Sequence, residues 1–579
     1  MAPHAESPQR ENGVYFEAAP PLTNGHSIPA VTPLTNGHAA PAVAPITNGH
    51  ADPEVVKPNI LFIMADQLAA PLLKMHDPNS PIKTPNIDKL AEGGVVFDSA
   101  YCNSPLCAPS RFCLVTGQLP YKIGAYDNGS HLNADIPTYA HYLRREGYET
   151  TLAGKMHFVG PDQLHGFEHR LTSDIYPGDF GWQVNWDMPD TRLEWYHNAS
   201  SVLQAGQCVR SNQLDYDEEV MYKSQQYLYD YVRQPDDKKR PFCLTVSLTH
   251  PHDPYAIHDE FWDMYEDVEI PLPKINIPQE EQDSHSKRLL KCTDIWGTEL
   301  PEEAIKRARR AYFGACSYVD SNVGKLLKVL KNLKLDKNSI IIFSGDHGDM
   351  LGERSMWYKM SWFENSARVP LIVNYPPRFA PRRVPGSVST MDLLPTLVEM
   401  VGGRKQDILP IDGKSLYPAL LGGSVKDEVF GEYMGEGTIS PIIMIRRGPW
   451  KYISSLVDEP QLFNLDRDPD ELTNLAKDSE YAITTLKFAN EAATKWDLQS
   501  IHNKVLASQR MRRLCWTALR KGQFTSWDFN PEDDGRKKYI RSNIPLDDLE
   551  LKARYPPVDA MGRTFITGSP HGQAGANGQ

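Results

Sequence analysis

Three short runs of apolar residues, each stopping abruptly at a cluster of polar side chains, constrain this chain more than any other feature. Asn59 to Ala65 gives way to Asp66-Gln67, Phe242 to Leu248 runs into Thr249-His250-Pro251-His252-Asp253-Pro254, and Ser339 to Ser344 ends in Gly345-Asp346-His347-Gly348. Short apolar runs without alternation read as strands covered on both faces, as in a parallel sheet flanked by helices. From Glu303 to Leu333, apolar residues recur at helical spacing through Ala308, Ala311, Ala315, Val319, Val323, Leu326, Leu327 and Leu330, which predicts a long amphipathic helix leading into the third strand. Open α/β sheets bind ligands beyond the carboxyl ends of their strands. The three polar clusters are therefore predicted to meet at one site.

With 579 residues the chain has room for one large domain and a smaller one. A net charge of −13 argues against a nucleic-acid partner, because neutralising phosphates needs clustered Lys and Arg. The longest apolar runs are far too short to cross a bilayer, so no membrane partner is expected. The eight cysteines are sparse and irregularly spaced, without a Cys-x-x-Cys pair, and give neither a disulfide framework nor a zinc site. Residues 1–55 lack the pattern of a signal peptide, which points to a cytoplasmic location. They carry Thr23-Asn24-Gly25-His26 three times over, again at Thr35 and at Thr47, in a Pro- and Ala-rich setting that reads as a disordered leader.

A catalytic domain over 56–426 is expected to follow. From about Asp427 the pattern changes: Ile442 to Ile445, the turn Arg447-Gly448-Pro449-Trp450 and Lys451 to Ser454 predict a small antiparallel sheet in a C-terminal α+β subdomain over 427–505. A C-terminal extension over 506–569 and a disordered tail over 570–579 complete the predicted organisation.

Several residues carry chemistry of their own. Asp66, Gln67, Asp346 and His347 offer an oxygen-dominated ligand set suited to a hard divalent cation acting as a Lewis acid, although either pair alone also fits a helix cap. Lys155 and His157, two apart on an extended segment, would face the same way. An alkoxide leaving group needs a proton donor, for which His252 and Lys359 are candidates, with His250 assigned a structural part. Arg111 is always charged and donates several oriented hydrogen bonds.

Cys107-Ala108-Pro109-Ser110-Arg111, continued to Thr116-Gly117, resembles the type I sulfatase signature C-x-P-S-R-x-x-x-x-T-G. Alone it also fits a turn with an inert thiol. Gly154-Lys155-Met156-His157, Trp357-Tyr358-Lys359-Met360, Thr84-Pro85-Asn86-Ile87-Asp88-Lys89-Leu90 and Asp392-Leu393-Leu394-Pro395-Thr396-Leu397 are similar to further segments of that family, so the resemblance covers about 59 to 476. It implies an alkaline phosphatase-like fold, with a large mixed, mostly parallel sheet sandwiched by helices. It also implies that formylglycine-generating machinery oxidises Cys107 to formylglycine, whose hydrated aldehyde is the nucleophile, and that Arg111, Lys155, His157, His252 and Lys359 are catalytic. The implied metal ligands are Asp66, Gln67, residue 107, Asp346 and His347. Calcium is the first expectation; manganese or magnesium stays open, since Gln67 and His347 replace the Asp and Asn of some members.

Three stretches, Ser344 to Arg354, Glu432 to Gly437 and Phe524 to Pro531, resemble choline sulfatases. This implies choline-O-sulfate as the substrate, Trp182 and His197 as pocket walls, and Glu436 as the counter-charge to a quaternary ammonium, which aromatic faces and a carboxylate can recognise. It further implies a homo-oligomer, dimer or tetramer, with the C-terminal extension at its interface or, alternatively, wrapped on its own domain. Two other readings stay open: a phosphonate monoester or phosphodiester hydrolase on the same scaffold, and a catalytically silent choline-ester binding protein with unconverted Cys107.

Overall fold

The structure is a computed structural model that describes residues 57–564 apart from 525, 535–537, 542–544, 557 and 559–562. The repeat-bearing leader and the tail over 570–579 lie outside the described residues. All three apolar runs are strands, Asn59–Ala65, Phe242–Leu248 and Ser339–Gly345, and every residue in them is buried. Alternate side chains supply two separate cores, which is why the runs show no polar face. Leu61, Ile63 and Ala65 pack with Ala308, Ala311, Val319 and Val323 of the long helix, whereas Ile60, Phe62 and Met64 pack with Phe112, Leu393 and Leu397 on the other side. Burying each such large aliphatic or aromatic side chain contributes about 1.5–3 kcal/mol. The long helix spans Glu302–Asn332, one residue ahead of its predicted bounds at each end.

The main sheet has nine strands. In spatial order they are Arg382–Ser389, Val95–Tyr101, Leu371–Asn374, Ser339–Gly345, Asn59–Ala65, Phe242–Leu248, Glu149–Gly154 and His169–Arg170, with Arg368–Val369 pairing to Val95–Tyr101. Pairing is parallel except around Leu371–Asn374 and Arg368–Val369. The register decides where the site lies. Ala65 pairs with both Leu248 and Gly345, and Gly154 pairs with Ser247, so four neighbouring strands end level. Asp66, Thr249, Asp346 and Lys155 therefore leave the sheet at the same edge.

The small antiparallel sheet is present, in the order Glu428–Tyr433, Ile442–Arg447, Trp450–Ser455 and Gln461–Asn464. Gly448 makes its central turn at a φ of 54°. Two helices follow that the sequence reading did not anticipate, Ala482–Lys495 and Leu498–Leu519, and the second runs without a break through position 505. Its Arg512 pairs with the buried Asp127 at 2.5 and 3.0 Å, which ties the helix to the catalytic layer. Beyond it, Trp527 packs edge-on to Phe180 at 5.1 Å, and Asp528 accepts from the Gly178 N–H at 2.7 Å. The extension thus folds back onto its own chain. Among the described residues, no helix is long and apolar enough to cross a membrane.

Candidate active site

Cys107 opens the helix Cys107–Thr116 and sits directly over the strand ends. Donor atoms of Asp66, Cys107, Asp346 and His347 all lie within 4.8 Å of one another, and all four residues are buried. His347 Nε2 is 3.3 Å from Cys107 Sγ and 3.7 Å from a carboxylate oxygen of both Asp66 and Asp346. Its Nδ1 faces the Gly348 carbonyl at 3.1 Å. With the proton on Nδ1, the Nε2 lone pair points into the cluster, as in a metal-binding imidazole oriented from its far side. Two carboxylates, an imidazole and residue 107 thus fit a divalent cation.

Gln67 stands beside this group. Its backbone N–H donates to Asp346 at 3.0 Å, its amide nitrogen to Asp349 at 2.7 Å, and its amide oxygen accepts from Lys359 at 2.7 Å. Arg111, one helical turn after Cys107, is spent on the carboxylates. Its Nε donates to Asp346 at 2.8 Å, Nη1 to Ser247 at 2.8 Å, and Nη2 lies 3.3 Å from Asp66. Lys155 contacts the same Asp66 oxygen, Oδ2. Burial and the Cys107 thiol push Asp66 up, but Lys155, His252 and Arg111 outweigh them and hold it at about 2.

Burial likewise works against ionising Cys107, yet Lys155, Lys359, His347 and His157 together hold its thiol well below the ordinary range. The contrast with the other thiols is sharp. Burial pushes Cys102, Cys113, Cys243, Cys292 and Cys316 upward. An electropositive pocket around one thiol is the mark of a reactive rather than a structural cysteine.

One expectation fails in detail. Lys155 and His157 do not share an extended segment. Strand Glu149–Gly154 stops at Gly154, whose φ is 101° and where a Cβ would lie 2.0 Å from the Ser247 carbonyl oxygen. His157 itself has a φ of 60°. A turn, not strand alternation, brings both side chains to Cys107. Asp174 fixes that turn by accepting from the Met156 and His157 N–H groups at 2.9 and 2.8 Å and from Arg170 at 2.8 Å.

On the far side of Cys107, Lys359 Nζ lies 2.7 Å from Gln67 Oε1, 2.8 Å from His252 Nε2 and 3.1 Å from His197 Nε2. Three N–H donors meet three acceptors, which places the imidazole protons on Nδ1. These face the Asp253 carbonyl at 2.6 Å and Glu436 Oε2 at 3.2 Å. Tyr358 and Met360, flanking Lys359, have φ of 67° and 73°, a strained backbone of the kind found where function outweighs local comfort. His250 is held by Asp217 at 2.6 Å, away from this triad.

The pocket residues lie on loops. Trp182 ends the short helix Phe180–Trp182 and packs against His157 at 5.7 Å, Tyr176 at 4.5 Å and, nearly parallel, Trp195 at 6.2 Å. Glu436 is fully buried, and its Oε1 has no hydrogen-bond partner among the described residues. Sequence reasoning missed Asp174, Tyr176 and Trp195, which sit in irregular segments without a periodic signal. It also passed over Asp253, which stands inside the second polar cluster, and Asp349, one residue beyond the third.

Fold and site together define a hydrolase of the alkaline phosphatase-like α/β class, with its reactive residue at the carboxyl edge of the sheet. The sulfatase family pattern matches residues 58–403, and the chain belongs to the sulfatase family. A pattern described as the choline sulfatase enzyme C terminus matches 503–555. A choline-sulfatase of Rhizobium meliloti is 45% identical over 507 residues, covering 86% of this chain and 99% of the relative. An arylsulfatase of Clostridium perfringens is 29% identical over 457 residues, covering 74% and 92%. Among solved structures, a phosphonate monoester hydrolase of Agrobacterium radiobacter matches with a TM-score of 0.61 at 25% identity, covering 77% of this chain and 96% of that one.

Proposed function

We propose that the chain hydrolyses choline-O-sulfate to choline and sulfate, with residue 107 matured to formylglycine. The observation that carries the choline end is Glu436: a fully buried carboxylate with one oxygen that has no hydrogen-bond partner among the described residues, set beside His197 and Tyr433. An unpaired buried carboxylate is costly, and a quaternary ammonium offers it charge without an N–H donor. The 45% identical choline-sulfatase supports the same reading.

Matured residue 107 would supply a geminal diol, one hydroxyl to attack sulfur and the other to expel sulfate as the carbonyl re-forms. Asp66, Gln67, Asp346 and His347 would hold a divalent cation, calcium by preference and manganese or magnesium otherwise, to polarise the sulfate oxygens. Arg111 orients the carboxylates for that task. Lys155 and His157 face the sulfate end, the first as a fixed positive charge and the second as a neutral imidazole whose pKa burial lowers. Lys359, hydrogen-bonded to His252, delivers the proton that the bridging oxygen takes as choline leaves.

The seven cysteines other than Cys107 are free thiols, which suits a reducing, cytoplasmic setting. Exposed Met511, Leu514 and Phe524 along the extension suit a homo-oligomer, dimer or tetramer.

The test compares kcat/KM for choline sulfate, p-nitrophenyl sulfate and a phenylphosphonate monoester, together with the mass of the peptide bearing residue 107. Preference for choline sulfate and an aldehyde mass are expected. An active enzyme carrying an unmodified thiol overturns the diol route. The match to a phosphonate monoester hydrolase supports a second reading, and phosphonate turnover above that of both sulfates would favour it.

A further inference from the structure

Lys155 is a buried ammonium on a flexible four-carbon stem, and its contact with Asp66 fixes only one side of it. On another side lies a ring that no motif singled out. The Lys155 Nζ stands over the face of Tyr176, 4.2 Å from the ring centre. The same ring lies 5.0 Å from His157, 4.5 Å from Trp182 and 6.2 Å from His252. Tyr176 thus touches the residues of the sulfate end, the proton-donor side and the aromatic wall at once. One of its faces is already occupied by a cation, so a quaternary ammonium brought to that face would meet Lys155 as a like charge.

We infer that Tyr176 is a positioning residue for Lys155: its ring face holds the ammonium against the sulfate end. This rests on the proposed sulfate-ester hydrolysis. The ring, not the hydroxyl, does the holding, because the contact is to the ring face.

The experiment compares Tyr176→Phe and Tyr176→Leu in the full-length enzyme on choline sulfate and on p-nitrophenyl sulfate. Tyr176→Leu is expected to lower kcat roughly ten-fold on both esters, the size of a desolvated cation–π contact. KM should change by less than about two-fold. Tyr176→Phe should stay within about two-fold of the parent on both, and this rescue by the conservative variant separates positioning from a general loss of packing. An equal loss in the Phe variant overturns the proposal, since the hydroxyl would then carry the effect. A loss confined to KM for choline sulfate also overturns it, because Tyr176 would then be pocket wall alone. If the parent cleaves only p-nitrophenyl sulfate, the choline reading fails while the Tyr176 comparison still reads out on the aryl ester.

Discussion

At the strand-end side of the site, Asp66, Cys107, Arg111, Lys155, Asp346 and His347 are each at most 1% exposed, and the carboxylates are paired to Arg111 and Lys155. At the loop side, Trp182 and His197 are only half-buried, and Glu436 meets a single imidazole. In the first set Asp66, Lys155, Asp346 and His347 follow three strands whose ends are locked level by parallel pairing, and Cys107 and Arg111 sit on the helix that lies over those ends. The second hangs from a short helix, a coil and the loop after Glu428–Tyr433. A sheet cannot shift one residue without moving a whole strand's side chains to the wrong face, so the reacting end is rigid by topology. Loops can change without disturbing that register, so the leaving-group end is where specificity can vary.

Two substitutions at the rigid end carry the largest expected effects. Cys107→Ala should lower kcat by at least about 10⁴-fold on choline sulfate and on p-nitrophenyl sulfate alike, as removal of a nucleophile does elsewhere. A loss on one ester only would break the division between the two ends. Arg111→Met should next cost about 3–5 kcal/mol of stability, because Asp346 would lose its buried guanidinium partner and Asp66 would keep only Lys155. Denaturant midpoints at a fixed slope measure this. A change below about 1 kcal/mol would mean that the ionic lattice does not stiffen the strand ends.

The same division explains what could be read in advance. The strands Asn59–Ala65, Phe242–Leu248 and Ser339–Gly345 were legible because burial on both faces leaves an unbroken apolar run. Their terminal Asp66, His252 and Asp346 then declared the site. Strand Glu149–Gly154 was not legible: Glu-Thr-Thr-Leu-Ala-Gly is half polar, and its buried Glu149 finds its partners far along the chain, accepting from Tyr227, 78 positions away, and facing Arg240. Helices Ala482–Lys495 and Leu498–Leu519 went unread, their faces set by packing against Trp186, Tyr452 and Asp127 far back in the sequence. Asp174 and Tyr176 were equally silent, since their segment is held by Gly178 meeting Asp528 rather than by any local pattern.

A smaller effect should appear at the loop end. Glu436→Gln keeps the size of the side chain and a partner for His197 but removes the charge. We expect kcat/KM for choline sulfate to fall about 50-fold, in line with losing one charged partner in a desolvated pocket. p-Nitrophenyl sulfate, which has no cation to place, should stay within about two-fold. If both esters lost equally, Glu436 would belong to the reacting end, and the line between the two halves would have to be redrawn through His197.

The smallest effect tests the hinge between them. Asp174 receives two backbone N–H groups and Arg170 on one oxygen, and so holds the turn that carries Lys155 and His157. Burial pushes its carboxyl up, but Arg170, His157 and the two N–H groups hold it below its usual value, so it is ionised at neutral pH. Asp174→Asn keeps the shape and one acceptor oxygen while giving up the charge on which three donors converge. The turn should loosen without unfolding, since Gly154 and its partner Ser247 still anchor its start. We expect kcat to drop roughly ten-fold on both esters with little change in KM, because the displaced groups act on the sulfate and not on choline. A rise in KM for choline sulfate alone would place the hinge at Trp182 instead, and would join the aromatic wall to the turn as one moving part.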